Sequence, residues 1–419
     1  MSAIVLGIRF GLLQAAAVGG APACTPPPLP AAVVEYRNGR WWTGEGFESR
    51  TMYSAAGVLR FRAPASVDSV IDLAGGYVIP PFAEAHNHNL HSNYQVQETI
   101  ARYLRDGVFY VATLSNLPSL TAEIRPLFNC ATSVDVIFAN GGITASGGHP
   151  IPLRERLLAM GAYPGFTKET LQDHGYYIAD DSAGVERIVP QLLATRPDLV
   201  KIFLLYSDEY RQRRDDPRFA GQKGLSPALV PLLVARVRAG GLRVIAHVET
   251  AADFRVAVEA GVDLIAHLPG YALPTRIDSA SASLAAARGI VVITTVGLSR
   301  RPGMDSTRMA AITSAQRDNL RLLKSMGVKV AVGSDRVEDT STNEMGFLDA
   351  LGVFSHGQLL NLWTGESARA LFPARRIGAL ADGYEASFLV LEGNPLEDWS
   401  NLRRIVRRVK QGYTLRNFP

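Results

Sequence analysis

The sequence predicts an α/β protein: a (β/α)8 TIM barrel with a small β-sandwich domain built from both chain ends. Three observations carry that expectation. From Tyr77 onward, apolar strand-like runs alternate with helix-length stretches, the pattern of βα units on a parallel sheet. Both flanks of that region read instead as short β runs broken by turn residues. And 419 residues are too many for one average domain but suit a barrel plus a smaller module.

Taken in order, residues 1–30 read as a signal peptide and linker. An apolar stretch from Phe10 to Gly20 follows Arg9 and ends in Ala21-Pro22-Ala23, a small-residue pattern that suits cleavage. The run is too short to span a bilayer. Export to the periplasm is the expected fate. Cleavage there would leave Cys24 first, so anchoring to a membrane through a lipid on Cys24 is an alternative, as is a cytoplasmic protein with an unstructured extension. Pro26-Pro27-Pro28-Leu29-Pro30 is a stiff spacer.

Residues 31–78 form the N-terminal part of the sandwich, with turns at Asn38-Gly39, Gly44-Glu45-Gly46 and Ala56-Gly57. Asn-Gly is the strongest of these as a hairpin signal. Residues 79–372 form the barrel. Its strands are expected near Tyr77-Phe82, Phe109-Leu114, Val134-Ala139, Leu199-Leu204, Arg243-His247, Leu264-His267, Ile290-Thr295 and Val328-Ser334. Pro227-Ala239 and Ala251-Ala260 carry apolar residues at helical spacing and end near glycine. No Gly-rich nucleotide fingerprint follows the first strand, which counts against an open doubly wound sheet. A helix around Leu359-Leu371 leads into residues 373–419, the C-terminal part of the sandwich.

Composition narrows the function. Hydrophobic residues at 47% and charged residues at 20% describe an ordinary globular chain. A net charge of +4 is only weak evidence for a nucleic-acid partner in a chain of this size, so none is expected, and a homo-oligomer is compatible with it. The cysteines, Cys24 and Cys130, are too few for a disulfide framework or a Cys-rich zinc site. Any metal must be held by histidine and carboxylate.

Such groups occur at one recurrent station. His86 and His88 close the first strand run, and alternate side chains of a strand face the same way. His247 ends Arg243-Val244-Ile245-Ala246, His267 ends Leu264-Ile265-Ala266, and Asp335 follows Gly333-Ser334. Barrel enzymes place catalytic groups at these strand ends, and buried polar groups need partners. Divalent metal ions would supply one. Lys201, flanked by Val200 and Ile202, would be repelled by cations as an ammonium. Carboxylated by CO2, it becomes an anion able to bridge two of them.

Gly76-Tyr77-Val78-Ile79-Pro80-Pro81-Phe82-Ala83-Glu84-Ala85-His86-Asn87-His88 resembles the opening motif of the amidohydrolase superfamily. Lys201, His247, His267 and Gly333-Ser334-Asp335 match its ligand series in order. Gly378-Ala379-Leu380-Ala381-Asp382-Gly383 and Leu391-Glu392-Gly393-Asn394-Pro395-Leu396 resemble its closing segment. The branch resembled is the imidazolonepropionase-like and prolidase-like one. The resemblance implies a binuclear centre with two divalent metals, zinc first with manganese or iron as alternatives. His86, His88 and Asp335 would hold the more buried ion, His247 and His267 the other, with carboxylated Lys201 between them.

That branch has a Gly-Gly-His loop after the third strand, here Gly147-Gly148-His149. By resemblance His149 touches substrate or a developing oxyanion; a solvent-exposed loop histidine is the equal alternative. Two departures bear on the substrate pocket. Pro150-Ile151-Pro152 stands where Gly-Asp is usual, and His247-Val248-Glu249-Thr250 stands where a His-Ala-His-Gly-like run is usual.

The implied reaction is hydrolysis of an amide C–N bond in a dipeptide, N-acyl amino acid or cyclic amide. A metal-bridging hydroxide would attack, with Asp335 passing the proton to the leaving amine. Tyr206, Arg211 and His91 are candidate substrate-binding residues; ordinary loop roles are their alternative. A single-metal deaminase is a second reading, but the spacing of Glu249 does not fit its acid/base and Lys201 would have no role. A lactone or phosphotriester hydrolase could use the same centre. A catalytically inert binding protein would be marked by lost ligands, and all six are present.

Overall fold

The computed structural model describes residue 24 and residues 32–300, 303–337 and 339–416. The proposed signal peptide therefore lies outside the described residues. Strands are β1 (Val34–Trp42), β2 (Phe47–Ala55), β3 (Val58–Arg60), β4 (Ser69–Asp72), β5 (Tyr77–Ile79), β6 (Phe82–Asn87), β7 (Val108–Asn116), β8 (Asp135–Asn140) and β9 (Ile143–Thr144). They continue with β10 (Tyr177–Ile178), β11 (Val200–Phe203), β12 (Val244–His247), β13 (Leu264–Ala266), β14 (Val291–Ile293), β15 (Lys329–Ala331), β16 (Phe388–Leu391), β17 (Ile405–Lys410) and β18 (Tyr413–Thr414).

The two ends of the chain share one mixed sheet, in the order β18-β17-β16-β5-β1-β2-β3 with β4 beside β1. Its central joint is β16 against β5, antiparallel, with Leu389 opposite Ile79. Two sequence expectations need correction here. Asn38-Gly39 makes no hairpin: β1 runs straight through it with a register shift between Tyr36 and Gly39. Asn38 takes the left-handed conformation that a hairpin turn would use and spends it on a bulge within the strand. The hairpin turns are at Thr43–Gly46 and Ala56-Gly57.

The second correction concerns Tyr77-Phe82, expected as one strand. It is split. Tyr77–Ile79 belongs to the end sheet, and the first strand of the parallel set begins at Phe82. Pro80 and Pro81 lack N–H groups and cannot continue a ladder, so the chain changes sheets across them.

The remaining strands are parallel. β6-β7-β8 form one sheet, and β9, β11, β12, β13, β14 and β15 run side by side in another with β10 at its edge. Backbone hydrogen bonds link the two. Ala85 N donates to Val332 O and Asp335 N to His86 O, each at 2.8 Å; on the far side Asp198 N donates to Phe138 O at 2.8 Å. The strands are apolar on both faces, as a parallel sheet covered by helices requires: every residue of β6, β7, β8, β11, β12 and β13 is buried.

Helices fill the gaps between strands. Thr250 opens Ala251–Ala260 with a capping box, and Gly261 closes it in the left-handed conformation. A polar joint ties the end sheet to the parallel strands. Lys410 on β17, fully buried, donates to Asp135 Oδ1 at 2.7 Å, and Arg375 donates to Oδ2 at 2.8 Å. Finally, Cys24 is disulfide-bonded to Cys130, with a Cα–Cα distance of 6.2 Å. A lipid on the Cys24 thiol would require this bond to be absent.

Candidate active site

The C-terminal ends of the parallel strands converge on one polar cluster. His86 lies in β6, His88 just beyond it, Lys201 in β11 and His247 at the end of β12; His267 follows β13 and Asp335 follows β15. His88 Nε2 is 3.0 Å from Asp335 Oδ1, and His86 Nε2 is 3.6 Å from the same oxygen. His267 Nε2 is 3.8 Å from Asp335 Oδ2. Lys201 Nζ lies 3.4 Å from His86 Nε2. The His247 and His267 ring centroids are 4.5 Å apart. All six residues singled out as ligands in the sequence thus meet in one place.

Local sequence explains the meeting. A Cβ on Gly333 would come within 2.6 Å of the His86 backbone nitrogen, so only glycine lets the end of β15 lie against β6. Ser334 is gripped by buried Glu84, which accepts from Ser334 N at 2.7 Å and Ser334 Oγ at 2.8 Å. Asp335 then projects in the left-handed conformation. Ser115, Tyr206, His267, Thr295 and Asp335 all have positive φ, and each sits at or just past the C-terminal end of a parallel strand. Strain of this kind gathers at functional sites and persists where the surroundings over-determine it. For β-branched Thr295 it is especially costly.

Burial sets the charge state. His86 and His267 are almost sealed from solvent, which drives their basicity well below the usual imidazole range, with neighbouring Lys201 and histidines adding to the effect. The same desolvation takes His247 down to about 3. Lys201 is pushed down to about 7 by burial, with Asp335 partly opposing. His86, His247 and His267 are therefore neutral near pH 7, with lone pairs available. His86 Nδ1 is buried with no hydrogen-bond partner among the described residues. His267 Nδ1 is occupied by Thr295 Oγ1 at 2.9 Å, which leaves Nε2 facing the aspartate. Donor atoms of His86, His88 and Asp335 all lie within 4.8 Å of one another, close enough to hold one metal ion. Neutral imidazoles with a carboxylate are a donor set that suits a divalent transition metal.

Around this core, His149 stacks on His247 with centroids 4.9 Å apart and planes at 25°. Its backbone N–H donates to Lys223 O at 2.9 Å. Burial lowers its basicity to about 3. Tyr206 lies just past β11 and is half-buried. Arg211 is exposed; Arg213, two residues on, is the arginine that lies over the Tyr206 ring, 3.7 Å from its centroid. His91 is exposed, and its Nδ1 donates to His88 O at 2.8 Å. Sequence reasoning passed over Tyr271 and Glu84, and it weighed Glu249 only as a deaminase acid/base. Tyr271 OH sits 3.5 Å from His247 Nε2 and donates to Glu249 Oε1 at 3.0 Å. Glu84, two residues before His86 on the same face of the strand, was legible in principle.

Comparison with known proteins agrees with this picture. Residues 218–413 match the family model described as Amidohydrolase family. An ochratoxinase of Aspergillus niger is 26% identical over 232 residues, 53% of this chain and 46% of that protein; the chain spans about half the length of the curated relatives it matches. The crystal structure of A. niger ochratoxinase superposes with a TM-score of 0.70 at 18% identity, covering 92% of this chain and 95% of that one. A Xaa-Pro dipeptidase with bound methionine gives 0.71 at 20% identity, covering 92% and 100%. These likenesses establish a shared fold. Residues 218–413 thus match the amidohydrolase family model, and the chain shares its fold with a Xaa-Pro dipeptidase.

Proposed function

We propose that this chain is a metal-dependent hydrolase that cleaves an amide C–N bond in a dipeptide, N-acyl amino acid or cyclic amide. The observation that carries this reading is the meeting of His86, His88, Lys201, His247, His267 and Asp335 at the ends of the parallel strands. We read those strands as a closed (β/α)8 barrel, supported by the hydrogen bonds that join β6 to β15 and β8 to the strand beside it. The sheet shared by the chain ends is the smaller domain, read as a sandwich.

His86, His88 and Asp335 would hold one divalent metal; His247 and His267 would hold a second, with Lys201 shared as a carbamate. Zinc suits this set, and manganese or iron are alternatives. Such metals polarise a carbonyl oxygen and make bound water acidic near neutral pH. The protein groups do the rest. Asp335 would take a proton from the attacking water and hand it to the departing nitrogen, so that water adds to the carbonyl carbon as the C–N bond breaks. Neutral His149, stacked on His247, would donate a hydrogen bond to the carbonyl oxygen as it gains charge. Tyr206 borders the same space. The Cys24–Cys130 disulfide favours export to an oxidising compartment.

The test is a screen of dipeptides and N-acyl amino acids for amine release, using protein purified with zinc and bicarbonate. Release by the wild type, lost in Asp335→Asn, supports the reading. No release from any of them, by protein that has bound metal, sinks the amide assignment.

A further inference from the structure

His247 has an outer face, and two residues without an assigned role occupy it. Glu249 stands two residues past His247; Tyr271 lies in the loop after β13. Tyr271 OH donates to Glu249 Oε1 at 3.0 Å, and its oxygen lies 3.5 Å from His247 Nε2. The carboxylate itself is 3.9 Å from the same nitrogen.

The direction of these contacts decides a protonation pattern. A neutral imidazole carries one N–H, and that N–H goes to whichever neighbour can accept. The Tyr271 proton is committed to Glu249, so the phenol offers His247 a lone pair. Nε2 must then be the protonated nitrogen, and Nδ1 keeps its lone pair. Glu249 is fixed in turn. Its backbone N–H donates to Asp253 Oδ2 at 3.1 Å.

We infer that Glu249 and Tyr271 are positioning residues: a carboxylate–phenol–imidazole relay that locks His247 in its Nε2–H tautomer and presents Nδ1 as the ligand atom. Neighbouring His267 is held the other way round. Thr295 occupies its Nδ1 and Nε2 faces Asp335 Oδ2 at 3.8 Å. Two imidazoles 4.5 Å apart thus offer different nitrogens to a shared centre. Partners beyond a ligating histidine orient the ring and tune its basicity. The ligand role of His247 rests on the proposed hydrolase reading; the tautomer is a property of the protein itself and can be read without metal.

The experiment uses the full chain labelled with ¹⁵N-histidine, freed of metal by chelation, in long-range ¹H–¹⁵N spectra near pH 8. The signal of His247 is assigned by its loss in His247→Gln. Wild type should show the Nε2–H tautomer, and Tyr271→Phe should show a mixture while other histidine signals stay in place. Glu249→Gln is the second variant and should loosen the preference in the same direction. With zinc restored, both variants should bind it on the order of 10- to 100-fold more weakly. A wild-type Nδ1–H tautomer, or a pure Nε2–H tautomer in both variants, would overturn the relay. A chain that shows the relay but binds no metal would overturn the hydrolase reading instead and leave the relay standing.

Discussion

His88 Nε2 lies 3.0 Å from Asp335 Oδ1, although one follows the first parallel strand and the other the last. The contact exists because Gly333 allows β15 to close against the backbone of His86, while Glu84 holds Ser334. In the proposed reaction Asp335 would serve as both ligand and proton carrier. Substituting Asp335→Asn keeps the shape and removes the base. Turnover should fall by roughly a thousandfold or more, while much of the metal stays bound. Steady-state kinetics beside elemental analysis would check this, and near-normal kcat would rule out the proton-carrier role.

Gly333→Ala tests the close approach itself. The added methyl would sit 2.6 Å from a backbone nitrogen and 2.8 Å from Ile293 Cγ2, neither of which can swing aside. We expect a loss of about 1–3 kcal/mol in stability and weaker metal binding, measured by urea denaturation and chelator competition. A variant as stable as wild type would show that β15 has room to shift.

Lys201 supplies a third prediction. An amine adds CO2 only when neutral, and burial brings Lys201 down to about 7. Carboxylation should therefore grow as pH rises from 6 to 8. A carbamate signal after ¹³C-bicarbonate labelling, absent in Lys201→Ala, would report it. Metal content should fall from near two per chain to near one or less in that variant. One metal per chain in both proteins would favour the single-metal reading.

Glu344 is fully buried against the loop after β14, accepting from Val296 N at 2.6 Å and Gly297 N at 2.8 Å. Burial raises it from the usual carboxyl range to about 7. A group raised in the folded state binds protons more tightly there than when unfolded, so it stabilises the fold most below pH 4.5. That contribution is lost as pH rises to about 7. At most it amounts to roughly 3 kcal/mol. Denaturant titrations of metal-free protein should show stability falling less steeply over this window in Glu344→Gln than in wild type. Parallel curves would mean that the two backbone N–H groups hold the carboxylate charged.

The disulfide from Cys24 to Cys130 encloses a long stretch of chain, with a separation of 106 residues. Loop-closure entropy of the unfolded state makes such a bridge worth about 2–4 kcal/mol. Reduction, Cys24→Ser and Cys130→Ser should each lower Tm by a similar amount, since each breaks the same link. An unchanged melting curve on reduction would show that the bridge adds nothing to the fold.

Much of the site could be read in advance because the chemistry is local to strand ends. An apolar run that stops at His247, His267 or Asp335 announces a polar group at the edge of a core, and apolar surroundings make such a group costly without a partner. The alternation of runs likewise announced parallel strands. Turn chemistry was less informative: Asn38-Gly39 carries a hairpin signature and forms a bulge, because the neighbouring strands of the end sheet keep β1 extended through it.

The sequence by itself determined which residues could be ligands and that they would face one end of a parallel set. Local periodicity and residue type suffice for that, since both act within a few positions along the chain. Tertiary structure decided what those residues touch. It placed Tyr77–Ile79 in the other sheet, brought Cys24 to Cys130, chose Arg213 over Arg211 to cover Tyr206, and set Tyr271 and Glu249 behind His247. Each of these depends on which segments meet after the chain has closed on itself, and no short-range pattern encodes that meeting.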